Sequence, residues 1–166
     1  MFWRGVIYVL HRELKRLLLK TAYANQLKIG KKVGFRKNVK FYFEKDAQVV
    51  IGDRCFFNND CSINVQNELL IGDDTLFGEG VRIYDHNHVF SSIDVPIALQ
   101  GFKSAPISIG SNCWICSNVI ILKGAKIGNN CVIGAGCIIS EAIPDNTIVK
   151  CVQQKITEIH RNTGGN

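Results

Sequence analysis

The sequence lacks the patterns that mark several common classes of protein. Its seven cysteines include no CxxC pair, and their odd number argues against a disulfide framework. No stretch interleaves basic residues with aromatics, so nucleic acid is a poor candidate partner despite a formal net charge of +6. With 46% hydrophobic and 20% charged residues, the 166-residue chain fits one globular domain that is neither disordered nor membrane-spanning.

Histidine is also scarce, with four in the whole chain. Only His86 and His88 lie close together, whereas His11 and His160 stand near the two ends. A catalytic zinc site commonly uses three protein ligands, which this arrangement does not supply. We therefore expect no bound metal.

What the sequence does contain is a six-residue repeat. Isoleucine recurs at fixed intervals at Ile109, Ile115, Ile121, Ile127, Ile133 and Ile139. Gly110, Gly128 and Gly134 directly follow three of them. Helices and strands have periods of 3.6 and 2, so neither explains this spacing. A period of six fits a coil of short parallel strands that forms a narrow prism, with the isoleucines pointing inward.

The repeat continues upstream with interruptions, over residues 26–151 in total. New registers begin at Ile29, Ile51 and Ile71, and each change of phase requires a loop or a bulge. The longest interruption, residues 84–106, reads as a loop that leaves the coil. Long excursions from a rigid scaffold often carry function, so this loop is a candidate site.

Five of the cysteines fall on the small interior position of the repeat. They are Cys55, Cys61, Cys113, Cys131 and Cys137. A free cysteine packs there as a small apolar residue, so a structural role is the simpler interpretation. Free thiols favour a reducing compartment, and we expect a cytoplasmic protein.

The two ends of the chain do not follow the repeat. In the N-terminal segment, residues 1–25, apolar residues recur at helical spacing at Trp3, Val6, Ile7, Leu10, Leu14, Leu17 and Leu18. This predicts an amphipathic helix through about residue 22, with Lys15 and Arg16 on its other side. Arg4 and His11 interrupt the apolar run, so we expect no signal peptide. Residues 152–166 are predicted to hold a short closing helix and a loose tail.

The predicted N-terminal helix has two interpretations. Its apolar face packs on the coil or on a neighbouring subunit, or residues 1–22 lie on the inner face of an anionic membrane. A basic amphipathic helix gains from apolar burial and from charge at such a surface.

The repeat, the loop and the run Cys113-Trp114-Ile115-Cys116-Ser117 together resemble the hexapeptide-repeat acyltransferases. The nearest branch is the sugar and polysaccharide O-acetyltransferases related to the galactoside and maltose enzymes, and the match covers Ile51 to Ile159. This resemblance implies a mainly β fold, a left-handed parallel β-helix, usually in homotrimers with sites between subunits. It also implies acetyl-CoA as the co-substrate and a carbohydrate as the acceptor.

The resemblance also suggests roles for the residues of the loop. In that family a catalytic histidine stands five residues after an aliphatic one, and counting from Ile83 gives His88. Imidazole can take the proton of a sugar hydroxyl as that hydroxyl attacks the thioester. His86 is the second candidate for this base, and Asp85 is a candidate to orient the ring, as is a loop carbonyl. A purely structural histidine is the alternative.

The same resemblance suggests the binding residues. Asn58 aligns with an acceptor-contacting asparagine, with Asp60 as a weaker companion, although a turn role explains Asn58 equally well. An acceptor-binding carboxylate of the family is replaced by Gln66. Coenzyme contacts are implied for Trp114, Ser117, Ala135, Ser140 and Lys155. Among these, the Ser117 amide is placed to stabilise the developing oxyanion.

Three functions follow from these residues. The first is direct acetyl transfer from acetyl-CoA to a sugar hydroxyl of a polysaccharide or glycan precursor. The second uses the same machinery on the amine of a nucleotide-linked amino sugar. The third is a non-catalytic β-helix that binds partners, for which the unusual acidic residues at the coenzyme end, Glu141 and Glu158, are the main support.

Overall fold

The computed structural model describes residues 13–151, which form a helical segment followed by a three-sided prism of parallel β-strands. The first sheet contains, in order, β1 (Leu27–Ile29), β4 (Gln48–Ile51), β7 (Glu68–Ile71), β12 (Ile107–Ile109), β15 (Lys126–Ile127) and β18 (Ala142–Ile143). The second contains β2 (Gly34–Phe35), β5 (Phe56–Phe57), β8 (Leu76–Phe77), β13 (Trp114–Ile115), β16 (Val132–Ile133) and β19 (Ile148–Val149). The third contains β3 (Lys40–Phe43), β6 (Ser62–Val65), β9 (Arg82–Tyr84), β14 (Ile120–Leu122) and β17 (Ile138–Ile139).

The interior of the prism is filled by the repeat residues, which confirms the predicted β-helix. All six isoleucines of the regular repeat are at most 4% exposed. They stack coil upon coil, since Ile109 pairs with Ile127 and Ile115 with Ile133. In the N-terminal coils the same interior column is aromatic, and the rings of Phe57 and Phe77 stack with centroids 4.5 Å apart. Burial of each such side chain stabilises the folded state by about 1.5–3 kcal/mol.

Two of the three corners of the prism have a constant length. Every connection from the first sheet to the second, here the first corner, has four residues between strands, as at residues 72–75. The second corner, from the second sheet to the third, also has four residues in every coil, as at residues 78–81. The repeat of six is therefore two strand residues plus four corner residues.

The first corner is held by a ladder of side chains that accept backbone hydrogen bonds from the preceding coil. Asp53 Oδ1 accepts from the Lys31 amide at 2.7 Å, and Asp73 Oδ1 accepts from the Asp53 amide at 2.8 Å. The turn residue that follows takes a positive φ in each coil, for example 57° at Arg54 and 55° at Asn112. Short polar side chains at these corners therefore satisfy amides that would otherwise lack a partner.

The third corner, from the third sheet back to the first, absorbs all the irregularity of the sequence. Its connections have 4, 2, 22, 3 and 2 residues in successive coils. The phase changes of the repeat, which predict loops or bulges, therefore all occur at this corner. The longest connection is the excursion, which leaves the coil after β9 and returns at β12.

The five predicted interior cysteines are all buried, which confirms their structural placement. Four of the five thiols, all but that of Cys137, donate to a carbonyl of the next coil, as in Cys55 Sγ to Gly72 O at 3.1 Å and Cys131 Sγ to Pro144 O at 3.1 Å. Burial raises the pKa of Cys55 and of Cys61 to about 11. These thiols are therefore protonated packing groups at neutral pH.

The helical segment, residues 13–22, packs on the prism through the face opposite to the one predicted. Lys15 Nζ donates to Val39 O at 3.3 Å and Arg16 Nη1 to Gly30 O at 3.2 Å, so the basic side covers the first coil. The predicted packing residues Leu14, Leu17 and Leu18 are instead 57–59% exposed. The long basic side chains contribute their aliphatic stems to packing while their nitrogens satisfy carbonyls at the end of the prism.

The remaining predictions for the chain ends concern residues outside the described range. These are the predicted helix before residue 13 and the closing helix and tail over residues 152–166. Within residues 13–151, no helix has both the length and the apolar character required to cross a bilayer.

Candidate active site

The excursion at the third corner begins as an antiparallel ribbon instead of an irregular loop. Strand β10 (His86–His88) pairs with β11 (Phe102–Ser104), and His88 lies directly opposite Phe102. A single 3-10 turn, Ile97–Leu99, lies between the two strands. The ribbon gives both histidines a regular backbone, so their side chains leave it at defined positions.

Asp85 anchors the base of this ribbon. Its side chain is fully buried, and its two oxygens accept from the backbone amides of Gln66, Asn67 and Glu68 at 2.6–3.1 Å. The carboxylate also lies 3.0 Å from His86 Nδ1. A carboxylate can only accept, so His86 Nδ1 is the donor in this contact. Asp85 therefore orients His86, the second of the two candidate bases.

The two histidines differ in accessibility. The side chain of His86 is 19% exposed and is tied to Asp85, whereas His88 is exposed. The ring of His88 packs against Phe102 with centroids 4.3 Å apart. A base that deprotonates an incoming hydroxyl must be reachable by it, and His88 meets this requirement better.

Both histidines line a groove of about 470 Å³ between the ribbon and the N-terminal coils. Its other walls include Tyr23, Tyr42 and Phe102, of which the last two are 55% and 51% exposed. Exposed aromatic faces beside polar groups suit a ligand that has both apolar ring faces and hydroxyls. Sequence reasoning missed these aromatics, because residues 23, 42 and 102 come together only through folding.

Gln66, which replaces a family carboxylate, lies in the same groove, as does Glu44. The Gln66 amide is also one of the three that Asp85 holds. The groove therefore offers one carboxylate and two side-chain amides, those of Asn64 and Gln66, beside the two imidazoles. Glu44 gave no signal in the sequence, since it stands in a turn of an earlier coil.

The predicted acceptor residues lie on a different edge, at the second corner. Asn58 is half-buried, and its Oδ1 accepts from the adjacent Asn59 amide at 2.8 Å. Asp60 has a φ of 60° and accepts from Asn38 Nδ2 at 2.9 Å. Asp60, not Asn58, is therefore the left-handed residue of this turn. Both side chains have local structural contacts in addition to any part in binding.

Three of the predicted coenzyme residues lie on or beside this second corner. Ser117 and Ala135 occupy it in consecutive coils, linked by a hydrogen bond from Gly136 N to Ser117 O at 3.0 Å. Within residues 13–151, the Ser117 amide donates no hydrogen bond. Trp114 projects from the adjoining second sheet with 54% of its surface exposed.

The other two predicted coenzyme residues lie apart from these. Ser140 follows β17 at the third corner, on the same edge as the histidines. Lys155 lies outside the described residues. Among residues 13–151, no cluster of histidine, cysteine and acidic side chains is arranged to hold a metal ion.

The predicted residues therefore divide between two edges of one prism. Along one coil, residues 62–65 separate the second corner from the third, which at about 3.3 Å per residue is about 13 Å. Within one chain the sheet keeps Asn58 and Ser117 on one edge and His88 on the other. A single small acceptor cannot contact both edges of the same copy.

Comparison with known proteins agrees with this architecture. Residues 106–141 match the family described as bacterial transferase hexapeptide (six repeats). The galactoside O-acetyltransferase of Escherichia coli K12 is 33% identical over 116 residues, covering 69% of this chain and 56% of that protein. The chain spans 44–61% of the length of three curated relatives that it matches.

Solved structures with the same coil are also similar. A hexapeptide-repeat acetyltransferase from Vibrio cholerae, complexed with acetyl coenzyme A, has a TM-score of 0.67 and 26% identity, covering 82% of this chain and 71% of its own. A maltose O-acetyltransferase from Clostridium difficile 630 has a TM-score of 0.64 and 29% identity, covering 92% and 89%. Repeat, coil and relatives together show that the chain belongs to the hexapeptide-repeat transferase family.

Proposed function

We propose that this protein is an acetyl-CoA-dependent O-acetyltransferase that modifies a sugar hydroxyl of a polysaccharide or glycan precursor. The observation that carries the proposal is an accessible histidine on a regular ribbon, beside a groove with exposed aromatic walls. Relatives named as galactoside and maltose O-acetyltransferases support the reaction and the acceptor class. The similar structure that holds acetyl coenzyme A supports the donor.

In the proposed reaction His88 is the general base. Its imidazole accepts the proton of the acceptor hydroxyl as the hydroxyl oxygen bonds to the thioester carbonyl carbon. The carbon–sulfur bond then breaks, and the coenzyme thiolate takes the proton from the imidazolium. The thioester is already activated, so direct transfer requires no covalent enzyme intermediate. General-base assistance of this kind contributes about 10² to 10⁴ in rate.

His86 has a separate part in this proposal. Its contact with Asp85, and the contacts of Asp85 with three amides of the neighbouring coil, fix the start of the ribbon. Pairing across the ribbon then places His88 opposite Phe102. The alternative, with His86 as the base and Asp85 as its orienting carboxylate, has the favourable contact but less access for the acceptor.

We further propose a homotrimer in which each site forms between two copies. Asn58, Asp60, Ser117 and Ala135 share one edge, whereas His88 and Ser140 share another. Placing the second corner of one copy against the third corner of its neighbour brings both groups to one groove. The Ser117 amide, which donates to no acceptor within residues 13–151, would then face the thioester carbonyl, whose oxygen develops negative charge during attack.

A labelled-acetyl assay tests the proposal. Radiolabelled acetyl-CoA is incubated with the protein and a panel of neutral sugars, glycans and amino sugars. We expect label on hydroxyl acceptors, released by mild base as an ester. If label appears on amino sugars and is not released by mild base, the product is an amide and the acceptor is the amine. If neither product forms and acetyl-CoA does not raise the melting temperature, the result would support a non-catalytic binding module. The free cysteines favour performing the assay under reducing conditions, as in the cytoplasm.

A further inference from the structure

The capping helix, residues 13–22, exposes an apolar face that packs against nothing else among residues 13–151. Leu14, Leu17 and Leu18 are spaced three and four residues apart, so they project from one side of the helix. Each is 57–59% exposed. The opposite side contacts the first coil through Lys15, Arg16 and Tyr23. Leu19, on the same side as these contacts, packs against the core. The helix therefore lies across the end of the prism with Leu14, Leu17 and Leu18 directed away from it.

The first coil surrounds this apolar face with positive charge. Residues 13–40 contain nine lysines and arginines but one acidic residue, Glu13, whereas residues 41–151 contain seven basic and twelve acidic residues. The basic side chains leave the prism on different sides, including Lys28 on the first sheet, Lys31 at the first corner and Lys40 on the third sheet, and all three are exposed. The charge of the chain is thus concentrated at the end that carries the leucines.

We propose that this end of the prism docks on an anionic membrane surface. Leucines at the tip can enter the boundary between head groups and acyl chains, while lysines around them face the lipid phosphates. A protein partner is a weaker fit, because the charge encircles the end instead of forming one patch. In the sequence, Trp3, Val6, Ile7 and Leu10 continue the spacing of the leucines, although they lie outside the described residues.

Docking in this orientation has a consequence for the candidate acceptor groove. Tyr23 directly follows the helix and lines that groove, and its hydroxyl donates to Phe41 O at 3.0 Å. The groove therefore lies at the membrane-facing end of the prism. The proposed acetyl transfer does not depend on this docking, and the two can be tested separately.

The test is flotation of the full-length protein with vesicles. Vesicles of phosphatidylglycerol and phosphatidylcholine in equal proportion are compared with vesicles of phosphatidylcholine alone. We expect binding to the anionic vesicles, weakened by added salt. Replacing Leu14, Leu17 and Leu18 together by glutamine, a good helix former, should lower the partition coefficient at least about tenfold. Leu70→Gln, at an exposed leucine in the middle of the first sheet, is the matched control and should have no effect.

The charge contribution has its own matched pair. Lys28 and Lys126 both stand before an Ile-Gly step on the first sheet, near opposite ends of the prism. Lys28→Gln should weaken binding to anionic vesicles roughly fivefold, and Lys126→Gln should not.

Three results would overturn the proposal. One is equal binding to both vesicle types, and another is equal loss of binding in the two lysine variants. The third is a leucine variant that still floats with the vesicles but changes oligomeric state, which would make the leucine face a contact between copies. Acetylation of a water-soluble acceptor by the leucine variant distinguishes loss of docking from failure of the proposed enzymatic function.

Discussion

The first and third corners of the prism are built from the same coil, yet they differ in almost every respect. At the first corner all six connections have four residues, and side chains accept hydrogen bonds from backbone amides of adjacent coils. A Cβ added to a glycine there, such as Gly110, would collide with backbone atoms of the next coil. At the third corner the connections range from 2 to 22 residues, and the longest carries the histidines. The difference teaches that regular stacking requires strict spacing on two edges only. The third edge is free to vary, and the candidate chemistry lies there.

The largest effect is expected on the histidine ribbon of the third corner. His88→Ala should lower acetyl transfer at least about a hundredfold, because the acceptor hydroxyl loses its base. Asn87→Ala, at the exposed position between the two histidines, is the matched control and should retain activity. Rates at saturating acetyl-CoA, with circular dichroism to verify folding, measure both. Near-normal turnover in the His88 variant would remove this residue from the mechanism.

The same assay separates the roles of the two histidines. His86→Ala should mainly lower the melting temperature, since Asp85 would lose one partner while its three backbone contacts remain. If kcat falls as much as in the His88 variant while the fold is intact, His86 is the base and Asp85 its orienting group.

Glycine substitutions compare the two corners directly. A Cβ on Gly110, at the first corner, would lie 2.6 Å from the Gly128 carbonyl carbon and 2.7 Å from the Asn129 amide. Both are backbone atoms that cannot move away alone, so Gly110→Ala should cost about 3 kcal/mol in the free energy of unfolding. At the third corner, a Cβ on Gly124 meets nothing closer than 3.9 Å, and only its φ of 84° opposes alanine, at a cost of about 1 kcal/mol. Urea unfolding measures both, and equal costs would contradict the proposed difference between corners.

Mixing variants tests whether the second and third corners of different copies form one site. Ala135→Trp should block the second corner, and His88→Ala inactivates the third. In a random mixed trimer, each interface has a one in four chance of joining two intact corners, so activity should recover to about a quarter of normal. Co-expression followed by assay of the purified mixture provides the measurement. Mixtures as inactive as the separate variants, despite confirmed mixed assembly, would argue against a shared site.

The smallest effect concerns the interior thiols. Burial raises the pKa of Cys55 and Cys61 from 9.0 to about 11 in the folded protein. Their contribution to stability is therefore fully present below pH 9 and is lost as the pH rises through the folded pKa near 11. Urea unfolding should show that the free energy of unfolding declines over this range. The Cys55→Ala, Cys61→Ala double variant should show a shallower decline, and an identical slope would exclude these thiols as the cause.

Much of the candidate site could not be read from the sequence. The position of His88 after Ile83 was visible, because spacing along one coil is local. Three features of the site join residues far apart in the chain: the hydrogen bonds from the amides of residues 66–68 to Asp85, the ring of Phe102 against His88, and the positions of Tyr23 and Tyr42 in the groove. No periodicity encodes such contacts, since they depend on how the excursion folds back on earlier coils. The helix is a second example, because the sequence predicts its apolar stripe but does not predict which face packs on the prism.

The sequence by itself determined the prism. Isoleucine or an equivalent every six residues, with short polar residues or glycine between, admits one economical arrangement in which each apolar side chain is buried. The tertiary structure decided that the irregular connections lie at the third corner, and it decided which face of the helix covers the end of the prism. Both outcomes depend on stacking between coils and on unpaired carbonyls at the end of the prism, and these exist only once the chain has wound.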